Sequence, residues 1–520
     1  MISGRHLMLV WLPPIAATLG VSVVLVLVSR LVDWWVFQQA TPVPFDHWFL
    51  NVDPSAIQTV ILSTLEVLAG VFAISITVVA IIVQLSAARV TSRVVDLFLA
   101  DPFNSVIFFL YVVPLVLGFW EANAITDDGF SRTGVGIFMV LSTLAMVLVF
   151  PYFKYVFYFL QPQNIIDKIE SSVNHALRSA ARHPREIPQA RGEVTKSIQQ
   201  LSDITLTAIA NNDLVFAVAS LNAMKQVLMR YLELKPQFSR AWHEIPSQHI
   251  LGLSEEMWQE VVDSRTWVEM ELFKQYEIAF TTSLRKVRDI TSCVARNVRD
   301  IAEMAVRLGA TETRDFLIKG FNTFIMYALS ERDIRSAVHV LYQYRLLAET
   351  LLDDADTVGR IGKHLLYYGQ NSQRRSIYFI TDAVAYDLRE LIQEATRRNS
   401  PSMEPLLAAF LELDQVTEGP EGIKFRRGVR KSQAILAGFF IQQGRRDLAE
   451  RIRQDMAGEP REFLTAVKQE LLAVTEEEFW EIEDRGVTFY YVEPENRDAI
   501  REFFDWLFAA ATPRHTPLSV

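Results

Sequence analysis

Four apolar runs in the first 160 residues decide most of what this chain can fold into. Residues 8–31, 57–84, 103–120 and 134–160 each hold about twenty residues or more with few charges, the length an α-helix needs to cross a hydrocarbon layer of ~30 Å at ~1.5 Å per residue. Backbone in hydrocarbon must satisfy its own N–H and C=O groups, so the runs are predicted to be four transmembrane helices. The first opens with Arg5 in the manner of a signal peptide, but it continues through VSVVLVLVS, too long for a cleavable hydrophobic region. It is expected to remain as an anchor, with the mature chain starting at or near Met1.

The remainder is of a different kind. Hydrophobic residues make up 50% of the 520 and charged residues 22%, with a mean hydropathy of +0.16, a combination that joins a greasy part to an ordinary water-exposed one. The prediction is an all-α chain: a four-helix transmembrane domain over 1–162 and a large helical cytosolic domain over 163–520, with two subdomains meeting near 400–420. Residues 1–160 contain six Lys/Arg and nine Asp/Glu, which leaves 45 and 52, a net of −7, for the rest. That charge excludes nucleic acid as a partner. Cys293 is the only cysteine, so an intrachain disulfide or a thiolate metal cage is excluded.

Orientation follows from the bias of Lys and Arg in short loops. Arg89 and Arg93 lie between the second and third runs and Lys154 and Lys168 at the exit of the fourth, whereas the segment 32–56 has Asp33, Asp46 and Asp53 and no base, and Asp127 and Asp128 face only Arg132. Both termini are therefore expected in the cytoplasm of a bacterial cell, with the chain multi-pass in the inner membrane. Trp34, Trp35, Trp48 and Trp120 fall at the expected outer ends, where an indole suits the headgroup layer.

Beyond Pro162, stretches such as DLVFAVASLNAMKQVLMRYL and DIRSAVHVLYQYRLLAETLL place apolar residues at helical spacing. Breakers such as Pro184, Pro236, Gly320, Pro401 and the pair Gly419 and Pro420 separate them. GVTFYYVEP, near residues 486–494, reads as one strand that could only be an edge. An internal echo at an offset of 120 aligns Ala208 with Ala328, Asp213 with Asp333, Ala217 with Ala337 and Leu221 with Leu341, and a weaker third copy surrounds Asp447. Each Asp is placed to cap a helix after a short turn. The copies lack the regular 34-residue step of a solenoid, which favours ordinary αα-hairpins over a repeat surface that grips a partner.

The segment DPSAIQTVILSTLEVLAGVFAISITVVAIIVQLSAARVTSRVVDLFLAD carries a resemblance. Asp53-Pro54-Ser55-Ala56, Leu62-Ser63-Thr64, Ser75-Ile76-Thr77-Val78, Gln84 and Ser86, and Arg93 before an apolar stretch closed by Asp101 are similar to the bacterial family of predicted membrane proteins known as domain of unknown function 2254. AIANNDLVFA around Asp213 resembles that family's turn between two cytosolic helices, with Leu214 where proline is usual; Glu66 stands where a small or apolar residue is usual. The resemblance covers roughly residues 50–235. It implies a four-span inner-membrane protein with a cytosolic helical domain, and the family brings no assigned reaction.

On its own chemistry the second run is the candidate path. Ser63, Glu66, Gly70, Thr77 and Gln84 share a broad helical face at steps of three, four and seven, and a carboxylate inside a span is costly unless it has a role. Such a face could line an aqueous path, or it could be helix packing through small and hydroxyl residues, the reading that weighs more for the residues alone. Pro114 and Pro151 are expected to bend the third and fourth helices, and Arg89 and Arg93 to meet lipid phosphates.

Catalytic patterns are missing: the sequence has no Walker loop, no G-x-S-x-G, no H-E-x-x-H and no dinucleotide fingerprint. His243 and His249 are wrongly spaced for two ligands on one helical face, and Cys293, with Arg296 one turn on, reads as an inert helical thiol. The chain is expected not to be an enzyme and to need no cofactor.

The last strong feature is electrostatic. Residues 424–453 hold Lys424, Arg426, Arg427, Arg430 and Lys431 among nine bases against two acids, and residues 459–505 hold fourteen acids against five bases. Opposite blocks attract. Pairing within the chain is favoured; a head-to-tail contact between copies or a basic patch on anionic lipid are the other readings of Arg426, Arg427, Arg430 and Lys431. Two functions fit: an oligomeric channel-like or transport protein whose second span lines the path, or a membrane-anchored helical scaffold or regulator for a cytosolic protein partner. The bilayer is a partner in both.

Overall fold

The computed structural model describes residues 20–32, 34–35, 53–89, 94–99, 101–126, 129–244, 255–415, 420–476 and 488–510. The chain forms two compact units, Met1–Lys168 and Ile169–Val520. All regular structure among the described residues is helical, apart from one isolated bridge between Thr126 and Gly129.

In the first unit α1 (Gly20–Val32), α2 (Pro54–Arg89), α3 (Val94–Leu99), α4 (Pro102–Asn123) and α5 (Arg132–Phe159) follow the apolar runs. Three of them, α2, α4 and α5, are long and apolar enough to span a membrane, and α1 is a shorter apolar helix; residues 8–19 of the expected first span lie outside the described residues, as do Asp127 and Asp128. α2 packs on α4 and α5, and α4 on α5. Their contact is a small apolar core of Ile57, Ile61, Leu117, Val135 and Phe138. Outward, Ile74, Val106, Val140, Val147 and Phe150 are exposed, an apolar surface suited to lipid rather than water. Asp101 caps α4 by accepting from Phe103 N (3.0 Å), and Ser131 caps α5 by accepting from Gly134 N (3.0 Å). Pro114 and Pro151 both lie inside continuous helices.

The second unit continues with α6 (Pro162–Arg182), α7 (Ile187–Ala210), α8 (Leu214–Leu234), α9 (Glu255–Asp263), α10 (Trp267–Ser283), α11 (Arg288–Arg307), α12 (Thr311–Ser330), α13 (Ile334–Thr350), α14 (Ala355–Arg374), α15 (Tyr378–Arg397), α16 (Met403–Leu411), α17 (Pro420–Gln442), α18 (Arg446–Met456), α19 (Arg461–Leu472) and α20 (Arg497–Ala510). These form two rows: α7, α10, α12, α14 and α16 pack in succession, and so do α8, α11, α13, α15, α17 and α20. The starts of α10, α12, α14 and α16, and of α11, α13, α15 and α17, recur every 42 to 48 residues. This regular step corrects the expectation of unrelated hairpins. The step is that of a two-helix repeat of ~40–47 residues, not ~34, and each pair buries its apolar stripe on the next.

One turn recurs through the array. The N–H groups of Asp213, Thr266, Ala310, Asp333, Ile377, Ser400 and Arg445 return 2.8–3.0 Å to the carbonyl five residues back. Each follows a residue with positive φ, among them Asn212 (55°), Arg332 (54°) and Asn399 (51°). This is the left-handed helix stop. Asp213 and Asp333 then cap the next helix, accepting from Phe216 N (3.3 Å) and Ser336 N (3.1 Å). The third copy departs from this: Asp447 lies within the first turn of α18 and pairs with Arg445 (3.1 Å), which holds the cap position.

No strand occupies 488–493. Phe489 and Tyr490 form a turn closed by Tyr491 N on Thr488 O (3.1 Å), 491–493 have no regular structure, and residues 486–487 lie outside the described residues. The aromatic alternation serves a strap instead: Phe489 packs on Tyr386 (ring centroids 5.1 Å) and Phe379 (5.3 Å).

Candidate functional site

The five candidate path residues lie on α2, and all five are exposed: Ser63, Glu66, Gly70, Thr77 and Gln84. Ala73 and Ala80, also exposed, fall between them. The stripe therefore steps alternately by three and four, with Ser63, Gly70, Thr77 and Gln84 seven apart, the spacing at which one helix face meets another. A Cβ on Gly70 would meet nothing within 4 Å, and Thr77 satisfies its hydroxyl on Ala73 O (2.8 Å) of its own helix. The opposite face, with Ile57, Ile61, Leu68, Ser75 and Val79, is buried. α2 thus turns Ile57, Ile61, Leu68 and Val79 to α4 and α5, and the stripe lies on its uncovered side beside the exposed Leu62, Val67, Ile74 and Ile81.

A second carboxylate of the membrane unit has the reverse setting. Glu121, near the end of α4, is buried. Arg30 of α1 lies 3.6 Å from it, and Ser29 Oγ donates to it at 3.5 Å. Gly134, in the first turn of α5, carries no side chain because the Glu121 carboxylate fills that space, where the partial positive charge of a helix start favours an anion. In the sequence Glu121 closes an apolar run beside Trp120, where a surface charge is ordinary, so nothing local marks it as buried.

At the other end of the unit, Asp101 pairs with Lys168, and Tyr152 Oη reaches Asn104 Oδ1 at 3.5 Å. A cavity of about 10 Å³ lies between Phe72, Ser75, Ile107, Tyr111 and Tyr152. Tyr111 stacks on Phe72 (5.0 Å), and its buried hydroxyl has no hydrogen-bond partner among the described residues.

In the second unit the repeat carries charge as well as apolar surface. Lys225, Arg299, Arg345, Arg389 and Lys431 are each the twelfth residue of α8, α11, α13, α15 and α17. Each reaches out of its own helix. Lys225 pairs with Asp300 of α11 (2.8 Å), Arg299 donates to Gln343 of α13 (2.8 Å), and Arg345 pairs with Asp387 of α15 (3.3 Å). Arg389 donates to Phe489 O of the strap (2.9 Å), and Lys431 pairs with Glu470 of α19 (2.7 Å). The row of helices is stitched by one cation per repeat.

The basic block meets acids of its own chain. Arg427 pairs with Glu470 (2.8 Å), and Arg430 with Asp414 (2.9 Å), Glu459 (3.0 Å) and Asp455. Arg430 is buried, and Arg426 is half-buried. Arg89 ends α2, while Arg93 lies outside the described residues. Burial pushes the Cys293 thiol up to about 11, which removes the reactive form. His243 is buried too, and burial, with Lys235 and Arg265 nearby, pushes it down to about 4.

Residues 9–197 match the family model of a predicted membrane protein, DUF2254. The match takes in the membrane helices and ends within α7, so the capped turn at Asp213 lies beyond it. Among curated proteins nothing matches. A solved structure described as a circular tandem repeat protein with novel repeat topology and enhanced subunit contact surfaces is similar at 12% identity, over 88% of this chain and 97% of that one, with a TM-score of 0.33, a likeness too slight to bear on the fold.

Proposed function

We propose that the chain is an oligomeric, channel-like membrane protein in which the stripe of α2 from several copies faces a shared path. The carrying observation is the exposure of Ser63, Glu66, Gly70, Thr77 and Gln84 on the face that the described helices leave uncovered. In lipid, Glu66 would pay the full cost of a bare carboxylate; between copies it meets water and a permeant cation. Small residues at seven-residue spacing let such helices approach. In this reading both termini are cytoplasmic, as the loop charges favour, the chain sits in a bacterial inner membrane, and the helical repeats serve as a vestibule or sensor with no enzymatic step.

The second reading, a membrane-anchored scaffold, is favoured by the repeat array itself, since stacked helix pairs present extended surfaces for a protein partner. Flux decides between them. Reconstituted in liposomes under an applied potential, the wild-type protein is expected to pass monovalent cations, and Glu66→Gln to change the ion preference or the pH dependence. Absence of flux for several monovalent ions leaves the scaffold. On a Cys293→Ser background, Gly70→Cys is expected to form oxidised dimers, whereas Phe150→Cys on α5 is not.

A further inference from the structure

Between α15, α17, the strap 488–496 and the start of α20, the second unit has an open cleft of about 250 Å³. Arg389, Gln393 and Arg397 follow one another along its α15 wall at four-residue steps, so they share one helical face. Ile435, Phe439 and Gln442 of α17 form the facing wall, and Tyr491, Val492 and Ile500 close it.

Most polar groups here are already engaged. Arg389 donates Nη1 to Phe489 O (2.9 Å) and Nε and Nη2 to Glu390 Oε1 (3.3 and 3.0 Å), with its guanidinium 4.7 Å from the centre of the Tyr386 ring. Gln442 donates to Asn496 Oδ1 (2.7 Å), and Asn496 to Glu493 Oε2 (3.4 Å). The acids of the wall, Glu390 and Glu493, are therefore accepting from protein donors. Arg397 and Gln393 complete the α15 wall. Arg397 gives one N–H to Glu394 (3.2 Å), lies over Phe439 (5.2 Å) and is half exposed. Gln393 is 8% exposed and lines the cleft between the two arginines. A primary amide offers two N–H donors and an oxygen acceptor, and this one lines the cleft.

We propose that this cleft binds a small organic anion, its carboxylate or phosphate held between the Gln393 amide and the Arg397 guanidinium and its flat apolar body lying against Phe439, Ile435 and Ile500. The planar fork of arginine suits either oxyanion, the apolar wall suits a ring, and the volume admits a single ring system or a mononucleotide rather than a dinucleotide. The site is independent of any path through α2.

Calorimetric titration of the full chain in detergent with phenylacetate, 4-hydroxybenzoate and adenosine monophosphate tests this. At least one is expected to bind with a Kd of about 1 mM or tighter; heat from the carboxylates alone assigns a carboxylate head group, and heat from the nucleotide alone a phosphate. Gln393→Glu, which keeps the shape and adds a negative charge, is expected to abolish binding, and Arg397→Met to weaken it about tenfold, the scale of one charge-assisted hydrogen bond. Arg398→Met, next along the chain but outside the cleft, should leave it unchanged. Silence from all three probes, or unaltered affinity in a folded Gln393→Glu or Arg397→Met variant, overturns the proposal.

Discussion

Arg345 of α13 and Asp387 of α15 form an ion pair, Nε to Oδ1 3.3 Å, in which the carboxylate is wholly buried and the guanidinium nearly so. Glu349, one turn on, also pairs with Arg345, and Tyr342 lies under it at 5.2 Å. Burial of both charges is costly, and their attraction offsets that cost only while both are present. Arg345→Met is therefore expected to destabilise the second unit by about 3–5 kcal/mol, and Asp387→Leu added to it to recover much of the loss. Chemical denaturation of the four proteins of this cycle checks the coupling; additive losses would show that the pair is incidental.

Asp382 supplies a pH dependence. Burial pushes its carboxyl up to about 6, against the Tyr490 hydroxyl and Lys431, which favour the charged form. At position 428, α17 has glycine because the Asp382 carboxylate and the Tyr490 hydroxyl (2.7 Å from an added Cβ) occupy the space of a side chain. In the unfolded chain the group titrates near 3.8. Between that pH and about 6 the folded chain keeps a proton the unfolded one has released, so stability falls as pH rises through this window. The charged form costs about 3 kcal/mol. Asp382→Asn is expected to flatten this part of the Tm-against-pH profile; an unchanged slope would assign the dependence to other groups.

The helix caps rank by what each carboxylate holds. Asp213 caps α8 with one bond, from Phe216 N (3.3 Å), whereas Asp333 caps α13 through Oδ1 (3.1 Å) and accepts Arg285 N through Oδ2 (2.8 Å). Arg285 has φ 62°, so that second bond fixes the turn between α10 and α11. Asp213→Ala should cost about 1 kcal/mol, as for one lost cap, and Asp333→Ala about 1 kcal/mol more. Equal losses in denaturation would mean that the Arg285 turn stands without Asp333.

The sequence-structure relation is clearest where a residue acts within one turn of its own helix. The apolar runs over α2, α4 and α5, the caps at Asp213 and Asp333, and the α2 stripe are all set by spacing along a single helix, and spacing is visible in a sequence. The repeat was half visible. Asp213 and Asp333 are 120 residues apart because the segment 235–266, with α9, intervenes, which hides the 42–48 residue step that begins only at α10. The strap at Phe489 looks like a strand in the sequence because its aromatic and β-branched residues alternate, whereas Phe489 packs on Tyr386 and Phe379 of α15. Nothing local marks Lys225, Arg299 and Arg345 as rungs, since that property belongs to the packing of one helix on another.

The two carboxylates of the apolar helices should respond in opposite ways. Glu121 is buried with Arg30 at 3.6 Å and Ser29 at 3.5 Å, and it fills the space beside Gly134. Glu66 is exposed on the face that α2 turns away from α4 and α5. Arg30 is 42% exposed, so losing Glu121 removes a half-exposed pair, about 1 kcal/mol, and empties the space the carboxylate fills beside Gly134. Gly134→Val drives a branched side chain into the carboxylate. Glu121→Leu and Gly134→Val are thus expected to lower the Tm and the monodisperse yield in detergent, while Glu66→Gln leaves both within error and alters only ion passage or subunit association. A Glu66→Gln protein that melts early, beside a Glu121→Leu protein that does not, would reverse the two roles and place the structural carboxylate on α2.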